Sequence, residues 1–169
     1  MRALRLALVV GVAAALPSAA LADLTLGVDA NAVAPSQTDS TGFGLGVSAG
    51  MDLWGFGPVG LGPHVRLGTA SSEDDRILHG SIGARLTVDF VVALSASVRV
   101  GAGDLSREGL IEAGESTSGS GFLLEGDLTA EFPLFGPLTI GARYGHSKIF
   151  LSDRDYSWPS YGLQLGLRI

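Results

Sequence analysis

The chain has 169 residues, of which 46% are hydrophobic, with a mean hydropathy of +0.36 and a formal net charge of −6. That is room for one domain, and it is greasy for a soluble one. Yet beyond the N-terminus no apolar run is long enough for a membrane-spanning helix. The absence of cysteine excludes disulfide, thiol and Cys-metal chemistry, and a pI of about 4.9 argues against nucleic acid as a partner.

Residues 1–22 carry Arg2 and Arg5, then an apolar stretch from Leu6, then Pro17 and the small-residue site Ala20, Leu21, Ala22. This is the pattern of a secretory signal peptide. Its removal would make Asp23 the N-terminus, take away two arginines and no acid, and move the net charge from −6 to −8.

From Asp23 onward, apolar and polar or small residues alternate with period two, the pattern of a strand with one apolar face. Strand one sets Leu24, Leu26, Val28, Ala30 and Ala32 against Thr25, Gly27, Asp29 and Asn31, and a polar loop follows from Ala34. Strand two has Phe43, Leu45, Val47, Ala49, Met51 and Leu53 on its apolar face, and a short connection, residues 54–58, leads to strand three over residues 59–68. Pro63 inside that strand removes a ladder donor. After a polar loop at residues 71–76, strand four runs over 78–90 and strand five over 92–101, joined near Val91 by a hairpin that lacks turn chemistry. Residues 104–120 read as the longest loop, with a short helical turn at 107–113. Strand six follows over residues 122–132, then a tight turn over 133–137, strand seven over 138–145 and a loop over 146–160.

The last nine residues hold Tyr161, Leu163, Leu165, Leu167 and Ile169 at alternate positions. A C-terminal strand with this spacing resembles the closing strand of bacterial outer-membrane β-barrels, although that family more often ends in Phe. The resemblance implies that the strand is the signal read by the barrel-assembly machinery. The eight strands are joined alternately by long polar loops and short turns, as in membrane barrels with loops outside and turns in the periplasm. Aromatics cluster at both ends. Trp54, Phe56, Phe90, Phe132 and Phe135 lie near the turns, and Phe43, Phe122, Tyr144, Phe150, Tyr156, Trp158 and Tyr161 near the loops, as two interfacial girdles would require. Residues 23–169 therefore resemble the OmpA membrane domain and OmpX type of Gram-negative bacteria: all-β, an eight-stranded antiparallel up-and-down transmembrane β-barrel in the outer membrane. The competitor is a soluble lipocalin-like barrel, since alternation alone does not say which face is inside.

The inward positions carry Arg66, Arg85, Arg99, Arg143 and Arg168 alongside Asp29, Asp52, Asp89, Glu125, Asp127 and Glu131. Unpaired charge in a narrow interior is costly, so these groups are expected to pair. Taking the turn at 133–137 as tight puts Phe132 opposite Leu138 and Asp127 directly across from Arg143, with Glu125 and Asp127 lying between Arg99 and Arg143. Eight strands leave an interior that side chains fill. The inward glycines leave space for water or larger neighbours, which keeps a narrow solute pore as the alternative to a structural or surface-interaction role through the loops.

Lipid A deacylases of similar size carry a His-x-Ser pair on the penultimate strand with a downstream Glu. His146 and Ser147 are adjacent, and no Glu follows Glu131, so a catalytic triad and a lipid A-modifying hydrolase are disfavoured. His64 and His79 point inward but lack the ligands of a metal site. The acidic stretches at 73–75, 104–115 and 153–155 match no calcium loop and read as solvated charge. No cofactor is implied. The expected surroundings are outer-membrane lipid and lipopolysaccharide, and the sequence names no external partner.

Overall fold

The computed structural model describes residues 23–36, 40–72, 75–107, 118–152 and 155–169. The expected leader lies outside them, as do Glu73, Asp74, Asp153 and, beyond Arg107, the helical turn expected at 107–113. Nine strand segments follow in order: β1 (Leu24–Val33), β2 (Gly42–Met51), β3 (Trp54–Phe56), β4 (Val59–Ser71), β5 (Asp75–Asp89), β6 (Ala93–Arg107), β7 (Ser118–Phe135), β8 (Leu138–Phe150) and β9 (Asp155–Arg168). All pair antiparallel with their neighbours, β1 pairs with β9, and a β2–β4 pairing closes the sheet into a barrel.

The barrel has eight walls because β3 is β2 continued past a bulge. Between the pairs Gly50↔His64 and Trp54↔Leu61, three residues of one strand face only Gly62 and Pro63 of β4. Proline has no N–H to give the ladder, and a bulge is where a sheet tolerates it.

Two of the short turns are built alike. Phe56 pairs with Val59 around Gly57-Pro58, and Phe135 pairs with Leu138 around Gly136-Pro137. Both glycines have positive φ, 60° and 56°. A two-residue hairpin with glycine first at φ near +60° and proline next at its fixed φ near −65° suits the twist of the flanking strands. The turns are thus shorter than the connections read over 54–58 and 133–137, and a register shift at Pro133/Phe135 follows. As a result Phe132 faces Ile140, and Asp127 faces Gly145 while Arg143 faces Thr129. The expected register, with Asp127 across from Arg143, is corrected by two residues.

At the other end the strands run further than the polar composition suggests. β8 continues to Phe150 and β9 begins at Asp155, so most of the loop expected over 146–160 is strand; likewise β6 reaches Arg107 and β7 begins at Ser118.

The faces change character with height. Leu26, Val47, Leu67, Leu86, Val98, Leu128 and Leu165 are exposed on the outer wall while Asp29, Arg66, Arg85, Arg99, Glu125 and Asp127 are buried inside. Toward the loop end the pattern inverts: Val33, Ala70, Ile77, Leu105, Leu123, Ile149, Tyr156 and Trp158 form a buried apolar cluster in the lumen, while Arg76, Asp104, Ser106, Ser120 and Asp155 face out. Tyr156 and Trp158 therefore belong to this interior plug and not to a girdle. The rings of Tyr156 and Trp158 lie 6.0 Å apart, and the tyrosine hydroxyl donates to Asp75 Oδ2 at 2.7 Å. Burying these rings removes large apolar area from water at the mouth, as a soluble core does.

Candidate functional site

The lumen at mid-height is closed by six charged side chains from five strands. Arg66 of β4 binds Asp29 of β1 through Nη2 and lies 3.5 Å from Glu125 Oε1 through Nη1. Arg99 Nε lies 3.6 Å from Glu125 Oε2, and its Nη2 bonds Asp127 Oδ2. Arg143 of β8 holds that same Asp127 oxygen at 3.4 Å and reaches back to Asp29 at 3.8 Å. The chain of contacts returns to its start. Asp29, Arg66, Glu125, Arg99, Asp127 and Arg143 form a ring in which acid and base alternate, three of each, with no net formal charge.

Burial is nearly complete; Arg99 and Glu125 are each 1% exposed. Charges so far from water cost several kcal/mol each unless paired and hydrogen-bonded, and each ring member has at least two partners of opposite sign. Neutral groups satisfy much of the remaining capacity. Asn31 donates to Asp29, Ser81 and Ser147 both donate to Glu125, and Arg143 Nη1 donates to Ser160 and to the amide oxygen of Asn31 at 3.5 Å each.

Two histidines complete the layer. Arg99 Nη1 donates to His64 Nδ1 at 2.8 Å, and Arg66 Nη1 to His79 Nε2 at 3.0 Å. Because arginine only donates, His64 Nδ1 accepts, while His79 Nε2 stands between the Arg66 guanidinium and Glu125 Oε1, 3.4 Å away. Sequence reading placed both imidazoles inside but weighed them only as metal ligands. Their role beside the arginines was missed, and the signal was their spacing of two from Arg66 on β4 and of two from Ser81 on β5.

Glycines make the room. A Cβ on Gly46 would collide with the Arg66 guanidinium and lie 2.5 Å from Asp29 Oδ2, and one on Gly68 would lie 2.6 Å from His79 Nε2. The inward glycines here are seats for large side chains.

Arg85 is not part of the ring. It lies nearer the turns, its Nη2 3.6 Å from Asp52 Oδ1. Arg168 stands at the rim, bonded to Asp89 and 3.2 Å from Asp23. Beneath the ring is a chamber of about 10 Å³ lined by Ser48, His64, Arg85, Ser95, Ser97 and Gln164 among others, space for about one water molecule. Above the ring sits the apolar plug. His146 and Ser147 lie within β8, with His146 exposed on the outer wall and Ser147 buried inside on Glu125. They occupy opposite faces, so neither can pass a proton to the other. Among the described residues no group of three or more His, Asp or Glu is arranged to hold a metal ion.

No protein-family model matches the chain, and no curated protein matches its sequence. Solved structures do. The chain is similar to Neisserial surface protein A, with a TM-score of 0.61 and 14% identity over 88% of this chain and 97% of that one. It is similar to the outer membrane enzyme PagL at 0.58 and 18%, over 85% and 99%. It is also similar to Ail, the attachment invasion locus protein of Yersinia pestis, solved with the heparin analogue sucrose octasulfate, at 0.56 and 17%, over 88% and 97%. At such identities the likeness shows the fold, that of the small outer-membrane β-barrels. The apolar outer wall around a charged interior answers the question alternation left open. A soluble barrel would bury that wall, whereas a barrel spanning the outer membrane presents it to lipid.

Proposed function

We propose that this protein is a closed outer-membrane barrel whose work lies outside the membrane, as a structural element or through contact of its loops with an external partner, and that its lumen carries no solute. The observation that supports this reading most is the double closure of the interior, an ion-pair ring at mid-height and an apolar plug above it. In this reading residues 1–22 are a leader removed before Asp23. The strand ending in Tyr161, Leu163, Leu165, Leu167 and Ile169 is the feature read by the barrel-assembly machinery, and outer-membrane lipid and lipopolysaccharide surround the wall.

Two rival readings are less well supported. A narrow pore would need a continuous polar path, and the plug of Leu105, Leu123, Ile149, Tyr156 and Trp158 interrupts it. A lipid A-modifying hydrolase would need a base and nucleophile on one face, and His146 and Ser147 do not share one. A polysulfated saccharide of the kind bound to Ail suits this chain poorly, since its polar stretches at 73–75, 104–115 and 153–155 are acidic.

Proteoliposomes carrying the protein test the reading. Swelling in a small sugar such as arabinose should not exceed that of empty vesicles, and faster swelling would overturn it. Replacing residues 108–117 by Asn-Gly should leave the barrel folded, as expected of a presented loop; loss of folding would count against that role.

A further inference from the structure

Below the ion-pair ring the lumen becomes rich in hydroxyl groups. β5 turns Arg85 and Thr87 inward, and β6 sets Ser97 across from Arg85 and Ser95 across from Thr87. Arg85 is 7% exposed, Thr87 4% and Ser97 2%. Among the described residues, Arg85 Nε and Nη2 and the hydroxyls of Thr87 and Ser97 have no hydrogen-bond partner. A buried polar group left in that state is costly, most of all when it is charged. Four such atoms in one layer call for a common cause.

Arg85 and Ser97 both line the chamber of about 10 Å³ beneath the ring. Three arginines, Arg66, Arg85 and Arg143, and two aspartates, Asp29 and Asp127, face it, which leaves a formal balance of one positive charge. Both aspartates are engaged by ring arginines. Asp52, whose Oδ1 is also unbonded, lies outside the lining and stands 3.6 Å from Arg85 Nη2, beyond hydrogen-bond range. It offsets the charge of Arg85 in part and leaves the N–H groups uncommitted. Glu131 lies outside the lining too, bonded by Gln164 at 2.5 Å. His64, in the lining, adds a donor: its Nδ1 accepts from Arg99, so the ring carries its proton on Nε2.

Donors thus outnumber free acceptors around this space. A water molecule that accepts from them must still place protons of its own, and the carboxylates lining the chamber are already engaged. A halide accepts from every direction and needs no acceptor in return. Size narrows the choice further, because the chamber admits one species of about the size of water and shuts out phosphate, sulfate and carboxylates.

We propose that the chamber is a binding site for one monatomic anion, chloride in ordinary surroundings, held by the Arg85 guanidinium and the Ser97 hydroxyl through charge-assisted and neutral hydrogen bonds. The ring and the plug close the side toward the loops, whereas Asp89, Glu131, Thr139 and Arg168 at the turn end are partly exposed. The ion therefore enters and leaves by the turn end without crossing the lumen. The site is independent of what the loops contact.

An anion that binds the folded barrel stabilises it by mass action. The detergent-solubilised protein is heated in sodium gluconate while sodium chloride replaces it at constant ionic strength, so that screening stays fixed. The midpoint for loss of the heat-modifiable band should rise by several degrees and then saturate; bromide should act alike and sulfate should not. Crystals grown in sodium bromide should show an anomalous peak between Arg85 and Ser97. Arg85→Gln should abolish the chloride shift. If that variant fails to fold, Ser97→Ala, which keeps every charge, should raise the chloride needed for half the shift several-fold. A midpoint indifferent to chloride, bromide crystals without a peak in the chamber, or a shift that Ser97→Ala leaves unchanged would each overturn the proposal.

Discussion

Arg143 sits two residues out of register with Asp127, facing Thr129 across the β7–β8 ladder, and still holds the Asp127 carboxylate at 3.4 Å. The guanidinium spans the offset because its stem runs along the inner wall past Gly145, where a Cβ would lie 3.0 Å from Nη2. The pairing depends on the face that both residues share and on the glycine between them more than on direct opposition.

Breaking the ring at one point should be costly. Arg143→Met leaves Asp127 and Asp29 each with one cation fewer in a buried site, at about 3–5 kcal/mol. Urea unfolding of the reconstituted barrel measures it. Replacing all six ring residues by apolar ones of similar size should cost much less than the sum of single losses, because no charge is left uncompensated.

The glycine seats predict a contrast between two positions of similar sequence character. Gly46→Val must displace Arg66 and Asp29, whereas a Cβ on Gly126 comes no nearer than 3.8 Å to its surroundings. Gly46→Val should destabilise by about 1–3 kcal/mol, as overpacking does, and Gly126→Val by little. Equal effects would mean that the ring shifts freely.

How much of this is legible from sequence depends on the length of chain over which a signal acts. Period-two alternation acts locally, so the faces taken by Arg99, Glu125, Asp127 and Arg143 can be read directly. Their register cannot, because it is set by turns whose length the composition disguises: Pro133, Leu134 and Phe135 look like turn residues and continue the strand. The plug is hidden for a related reason. Leu123 and Ile149 keep strict alternation but sit on the inner face, and nothing local marks the height at which the interior changes from charged to apolar. Trp158 and Tyr156 sit beside Pro159 and Ser157 in what reads as a polar loop, and only the pairing of Tyr156 with Ile149 and of Trp158 with Ser147 reveals them as interior.

The plug itself makes a prediction. Leu123→Ala removes a fully buried side chain from the cluster and should cost about 2–5 kcal/mol, read as a lower midpoint for the loss of the heat-modifiable folded band in gel electrophoresis. At Leu128, five residues along β7 and on the outer wall, alanine should cost much less. Arginine there should cost about 2–4 kcal/mol near the bilayer midplane. Reversal of the two alanine effects would exchange the faces.

Topology follows from the two ends. On intact cells, protease should cut within the Gly- and Glu-rich residues 108–117 and spare Gly57-Pro58 and Gly136-Pro137. The mass of the cut protein should correspond to a chain starting at Asp23. Cleavage at either Gly-Pro turn from outside would invert the orientation.

The central claim is that the lumen is shut twice, by the ring of Asp29, Arg66, Glu125, Arg99, Asp127 and Arg143 and by the plug above it. Single-channel recording in a planar lipid bilayer tests it most directly. The predicted result is no conductance above that of the bare bilayer in 1 M salt, a deliberately chosen high concentration (roughly a 3 Å screening length), at either polarity. Stepwise ohmic openings from the unaltered protein would contradict it.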